Sequence, residues 1–247
     1  MSSVTGDVSV RSTFRPSFYF WIALVMCFYV FGGFTLAAIQ RWVTHDPTTM
    51  PPVVHLHGIT FISWMTLLMV QTSLINVRKV ALHRSLGTFG IALATAVLFT
   101  GGLITMLGMT FGNPAGPFYY DLMYLSVMAL LGFGILFTLA IRNVRRPDNH
   151  RRLILFSTIP ILPPGINRMY QVVFQLDWLP VVATYATMSS IAVAILAHEW
   201  RTSGRISTTS KIGAGFVFAQ QLLHWPIANS AAFADLARFL ASLFYYR

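Results

Sequence analysis

The sequence predicts an all-α membrane protein: a polytopic bundle of seven transmembrane helices, N-terminus inside and C-terminus outside, closed by a short helix lying on the outer face. Three observations predict it. Hydrophobic residues make up 55% of the 247 positions and charged residues only 10%, against roughly 25% charged in soluble domains. The apolar stretches run to about 20 residues, the length a helix needs to cross a hydrocarbon core of about 30 Å, not the alternating stretches of about 10 that build a barrel. The basic residues alternate from loop to loop in the way the positive-inside rule requires.

Taken in order, residues 1–16 form a cytoplasmic tail. The spans follow at 17–39, 53–76, 85–109, 120–141, 153–175, 179–200 and 211–230, and residues 231–247 follow the bundle. The first span has Arg11 and Arg15 before it like a signal peptide, but it is too long for one and no cleavage site follows, so it is expected to be retained. With the N-terminus inside, 13 of the 17 basic residues fall on inner segments: Arg11, Arg15, Arg78, Lys79, Arg84, Arg142, Arg145, Arg146, Arg151, Arg152, Arg201, Arg205 and Lys211. Arg41, Arg168, Arg238 and Arg247 fall on the outer side. This distribution accounts for the net charge of +10 without nucleic acid. The lone Cys27 excludes a disulfide framework and a Cys-rich metal motif. The basic hairpin Arg142–Arg152 reads as a topology determinant or as an anionic-lipid contact, and the first is the expectation. At the C-terminus Phe233, Leu236, Leu240, Leu243 and Phe244 recur at near-helical spacing, with Tyr245 and Tyr246 as aromatic anchors.

Polar residues inside such spans are costly and mark function by default. In span two, His57, Trp64 and Gln71 recur every seven residues and share a face. His55 points elsewhere. His83 and Arg84 open span three, and Gly87, Gly90, Ala94 and Gly101 run below His83 as a stripe that admits either a flat macrocycle or a neighbouring helix. His57 and His83 stand roughly 28 Å apart at 1.5 Å per residue and so belong to different sites. Span six ends in His198-Glu199-Trp200, which also reads as ordinary interfacial chemistry. In span seven Gln220, Gln221 and His224 share a face. His45 and His150 are expected in solvated loops. Span five carries Pro160, Pro163, Pro164 and Gly165 near mid-membrane, where the helix should kink or break. Irregular backbone at that depth requires protein or a water-filled cavity around it. Arg168 follows and should face the bundle, with a haem propionate, a quinone head group, a lipid phosphate or Asp177 as its counter-ion.

Four histidines at two depths suggest two haem b groups, each held between two imidazoles. His57 with His224 would form the outer site, Arg168 taking a propionate or quinone. His83 with His198 would form the inner site beside Arg84, and Trp64, Gln71 and Gln221 would line the cofactors. The protein would then carry electrons, quinone-linked, to an unidentified redox partner or membrane complex. Two other readings remain open. One is a cofactor-free transporter or small-molecule or lipid-binding protein with its site at the broken fifth span. The other is a structural or assembly subunit. No HExxH motif and no convergent nucleophile–His–carboxylate set supports zinc or hydrolytic chemistry.

The stretch His55-Leu-His57-Gly58, Trp64, Gln71 and Leu82-His83-Arg84-Ser85-Leu86-Gly87 resembles a pattern of uncharacterised bacterial multi-pass membrane proteins. The likeness extends over FYYDLMYLS at Phe118–Ser126, LPPGINRMY at Leu162–Tyr170 and QQLLHWP at Gln220–Pro226. It implies the bacterial cytoplasmic membrane and no particular activity. The segment from His57 to Arg84 is also similar to transmembrane b-type cytochromes and ferric-reductase-like proteins. That likeness implies haem ligation by His57 and His83, each with a partner from another helix.

Overall fold

The computed structural model describes residues 15–44, 50–112, 119–175 and 180–244. Among them there is no strand. The helices are α1 (Phe18–Val43), α2 (Pro52–Asn76), α3 (Val80–Phe111), α4 (Tyr119–Arg142), α5 (Pro147–Thr158), α6 (Pro163–Phe174), α7 (Pro180–Ser203), α8 (Thr208–Leu222), α9 (His224–Ala228) and α10 (Ala231–Phe244). The expected cytoplasmic tail as far as residue 14, His45, Asp177, Tyr245 and Tyr246 lie outside the described residues.

Five helices, α1 to α4 and α7, are long and apolar enough to cross a membrane. The other two expected spans are interrupted. Span five becomes α5, a 3-10 turn at Ile159–Ile161, and α6. The cause is local: Pro160, Pro163 and Pro164 remove three backbone donors within five residues. Span seven divides at Leu223 into α8 and α9. At 15 residues α8 reaches only about 22 Å.

Local sequence sets the helix ends. The Ser17 side chain caps α1 by accepting from the Phe20 amide, while the Ser17 amide donates to Asn76 Oδ1 at 3.3 Å and ties α1 to α2. Pro52 and Pro147 occupy first-turn positions, where a missing donor costs nothing. Ser207 caps α8 through the Ser210 amide. Between α2 and α3 the chain turns at Arg78, held at φ 60°.

Consecutive helices pack against one another from α1 to α5, and α6 lies on α1. That last contact is backbone on backbone. A Cβ added at Gly33 would fall 2.0 Å from the Gly165 carbonyl oxygen, and one added at Gly165 would fall 2.7 Å from Val30 Cα. The broken backbone of span five is therefore covered by protein, as burial at membrane depth requires. Met26, Met65, Phe133, Phe156 and Met188 fill the centre of the bundle, and Tyr124 belongs to a second cluster with Met109 and Phe233. Large apolar side chains also cover the outside: Phe28, Phe99 and Leu222 are 62%, 67% and 79% exposed. An apolar exterior this extensive is the mark of a lipid-facing protein. At the C-terminus α10 docks through Phe233 and Ala237 and turns Leu236, Phe239 and Leu243 outward.

The antiparallel order gathers the end of α2, the start of α3, the end of α4, the start of α5, the end of α7 and the start of α8 at one end of the bundle. Arg78, Lys79, Arg84, Arg142, Arg145, Arg146, Arg151, Arg152, Arg201, Arg205 and Lys211 lie there.

Candidate functional site

At this basic end, α1 to α5 enclose a cavity of about 190 Å³. Leu67, Leu68, Phe137, Ile154 and Leu155 make its walls apolar. Gly87 and Gly90 leave room on the α3 side: a Cβ at Gly90 would press to 3.3 Å on Leu67, and one at Gly87 would come within 3.9 Å of the Gln71 amide. Part of the small-residue stripe of span three thus accommodates α2 side chains and part opens the cavity.

Trp64, Gln71 and His83, three of the residues singled out in the sequence, meet here. Each carries a buried polar atom with no hydrogen-bond partner: the Trp64 Nε1 donor, the Gln71 Oε1 acceptor and His83 Nδ1. Trp64 is held rigidly, edge-on to Phe133 and Phe137 at 4.9 and 5.5 Å between ring centroids. Buried polar groups are nearly always paired, so three orphans around one cavity point to a ligand that pairs them.

The cavity has a second imidazole that the sequence reading placed in a solvated loop. His150 sits in the first turn of α5, half-buried, because Pro147 starts that helix. Its Nδ1 donates to the Ala140 carbonyl at 2.9 Å, which leaves Nε2 as the bare, basic nitrogen. The signal was the Arg146-Pro147-Asp148 helix start, which puts His150 inside a helix. Arg151, at the same rim, lies 4.2 Å over the Tyr19 ring and pairs with Asp148.

The remaining candidates sit elsewhere. His198 is not part of the lining; its ring stacks on Phe18 at 3.8 Å and meets Tyr19 edge-on. Arg84 is exposed. At the opposite end, His57 Nδ1 contacts Thr100 Oγ1 at 3.1 Å, and its ring lies parallel to Phe61. His224 is 2% exposed and stacks on Tyr124. Its Nδ1 is 2.9 Å from the Tyr185 hydroxyl, and its Nε2 is 2.9 Å from the Asp121 carboxylate, off the ideal hydrogen-bond line. A tautomer protonated on Nε2 serves both contacts, with Tyr185 donating to Nδ1. The Tyr124 hydroxyl donates to the Gln220 carbonyl, and Ser189 donates to Gln221 Oε1 at 2.7 Å.

The contacts of His57 and those of His224 share no residue, and His224 Nδ1 meets the Tyr185 hydroxyl while its Nε2 faces the Asp121 carboxylate. A haem held between this pair does not fit these contacts. Arg168 donates to the Pro164 carbonyl at 2.8 Å and lies 4.6 Å over the Phe34 ring. Its partners are therefore a helix carbonyl and an aromatic face. The span-five break is filled by α1 at Gly33 and Val30.

The site at the basic end can hold a small ring. A cavity of about 150 Å³ is enough for benzene, and here the polar atoms lie around an apolar space. The chain matches no protein-family model, no curated protein and no solved structure.

Proposed function

We propose that the chain is a seven-span protein of the bacterial cytoplasmic membrane, N-terminus inside, that binds a quinone-type molecule in the cavity at its cytoplasmic end. The observation that carries this reading is the convergence of Trp64 Nε1, Gln71 Oε1 and His83 Nδ1, all buried and unpaired, on a mostly apolar cavity. A quinone has ring oxygens that accept from Trp64 Nε1 and from the neutral His83 ring in its Nδ1–H tautomer. Its quinol form adds a hydroxyl that Gln71 accepts. An apolar tail suits the apolar walls of Leu67, Leu68, Phe137 and Leu155. Small-molecule sites combine an apolar lining with a few placed polar groups in this way. His83 and His150 are imidazoles beside the basic, water-facing end, where proton exchange with the ring oxygens is chemically accessible.

The test is a titration of the purified protein in detergent with decylubiquinone, read by quenching of tryptophan fluorescence. Saturable quenching that weakens about tenfold or more in His83→Ala and Gln71→Leu, a loss of roughly 1.4 kcal/mol each, supports the reading. An unsaturable response, or variants that bind like the parent, overturns it.

Haem b remains a second reading at this end only, because His150 has the anchored Nδ1 and free Nε2 of a ligating imidazole. A reduced-minus-oxidised visible spectrum separates the two. Six-coordinate haem b bands lost in both His83→Ala and His150→Ala would replace the quinone reading with a haem between those rings.

A further inference from the structure

A different face of α5 borders a second recess at the basic end, about 350 Å³ in volume, between the starts of α5 and α8 and the end of α7. Its centre is a buried ion pair. Arg152 Nη1 stands 3.1 Å from Glu199 Oε1, and the two residues are 8% and 2% exposed. Glu199 Oε1 also accepts the Ser207 amide at 3.0 Å, while Arg152 Nη2 makes a long 3.4 Å contact to Asn149. Two atoms of the pair are left over. Arg152 Nε and Glu199 Oε2 are buried without a hydrogen bond, although the Ser207 and Ser210 hydroxyls lie near the carboxylate.

Such a pair is stable only when its remaining donors and acceptors are satisfied. Here one donor and one acceptor of the same pair are unsatisfied. Arg146 and Arg205 line the same recess with no described side-chain partner, and Asp148 is engaged by Arg151. The recess therefore presents guanidinium groups for an anion and one carboxylate oxygen for a cationic donor. Trp200, 64% exposed, follows Glu199, and Ile212 of α8 is 47% exposed, so apolar surface adjoins this polar recess.

We propose that this recess binds the head group of a phosphoethanolamine phospholipid. The phosphate lies against Arg146, Arg152 and Arg205 as charge-assisted hydrogen bonds favour. The primary ammonium turns to Glu199 Oε2, and the acyl chains run along the apolar surface beside Trp200. A phosphoglycerol lipid supplies the phosphate without the ammonium. A phosphocholine lipid supplies a cation without N–H donors. The preference for the primary amine is what separates this site from a merely basic surface.

The test is native mass spectrometry of the full chain, released from detergent with equimolar dioleoyl phosphatidylethanolamine, phosphatidylglycerol and phosphatidylcholine. The expected result is an ethanolamine-lipid adduct about tenfold favoured over either competitor, the equivalent of one good charge-assisted contact. Arg146→Ala with Arg205→Ala, at exposed positions that leave the buried pair intact, should weaken ethanolamine and glycerol lipids together. Glu199→Gln should erase the preference for the ethanolamine lipid over phosphatidylglycerol, with adducts of both lipids still present. Equal adducts of all three lipids, a preference for phosphatidylglycerol, or a double arginine variant that keeps the ethanolamine adduct overturns the proposal. Displacement of the lipid by soluble O-phosphoethanolamine at submillimolar concentration would also overturn it, since the occupant would then be a free phosphoamine.

Discussion

The two ends of the bundle hold their histidines under opposite conditions. At the end opposite the arginine cluster, His224 is clamped between Asp121 and Tyr185, stacked on Tyr124, and nearly sealed from solvent. At the basic end His83 is more open, yet its Nδ1 is buried without a partner, as are Trp64 Nε1 and Gln71 Oε1 around it. An unpaired buried polar atom costs about 1–3 kcal/mol. Each ring leaves one buried nitrogen outside a good hydrogen bond, but His224 Nε2 stands 2.9 Å from the Asp121 carboxylate, whereas His83 Nδ1 has no ion pair among the described residues. The first is held as structure, and the second stands beside a cavity as a binding group. What faces the bare nitrogen, not depth of burial, separates the two roles.

The largest effect expected from this contrast is on stability. His224→Ala removes a ring that joins α4, α7 and α9 and leaves Asp121 and Tyr185 facing a void. It should cost about 3 kcal/mol, the range for truncating a large buried side chain, measured by denaturant or SDS unfolding in a fixed detergent. His83→Ala should cost less, about 1 kcal/mol in the same assay, because its ring has a backbone contact to Gln71 but no ion pair among the described residues. Binding should show the reverse order, with decylubiquinone affinity kept in His224→Ala and lost in His83→Ala. Equal destabilisation by the two substitutions would erase the distinction between the ends.

The helical class was legible from composition and run length, and the residues that gather at the basic end were legible from the positions of Lys and Arg. So was the inward stripe of Trp64 and Gln71, because a seven-residue repeat on a helix needs no tertiary information. The break in span five was legible from Pro160, Pro163, Pro164 and Gly165. What covers it was not, since the Gly33–Gly165 approach joins residues far apart in the chain. Which side chains surround each histidine was not legible for the same reason. His57 and His224 are both on helices and both polar, but helical periodicity says nothing about which helix stands opposite. Asp121 and Tyr185, which hold His224, come from two other helices. His150 was missed because a basic stretch read as a loop, although Pro147 marks a helix start one turn earlier.

A smaller effect tests the clamp itself. Tyr185→Phe keeps the ring and removes only the hydroxyl that meets His224 Nδ1 at 2.9 Å. The loss should be about 1 kcal/mol, the net worth of one hydrogen bond plus a newly unpaired acceptor, in the same unfolding assay. A neutral result would mean that Asp121 and the stacking on Tyr124 hold the imidazole alone, and the far end would then be less tightly built than its distances imply.

The smallest effect has the opposite sign, and it is the sharpest. Gln71→Leu replaces an amide whose Oε1 has no partner with an apolar side chain of similar length, next to Leu67 and Leu68. Replacing an unsatisfied buried polar group by an apolar one of like shape is nearly neutral or stabilising. Unfolding should shift upward by zero to about 1 kcal/mol. A purely structural glutamine, bonded in the folded protein, would give a loss instead. Coupled to weaker decylubiquinone binding, a small gain in stability is the signature of a group kept for its ligand at a cost to the fold. A loss of stability with unchanged binding would move Gln71 to the same structural role as His224 and leave the cavity without its acceptor.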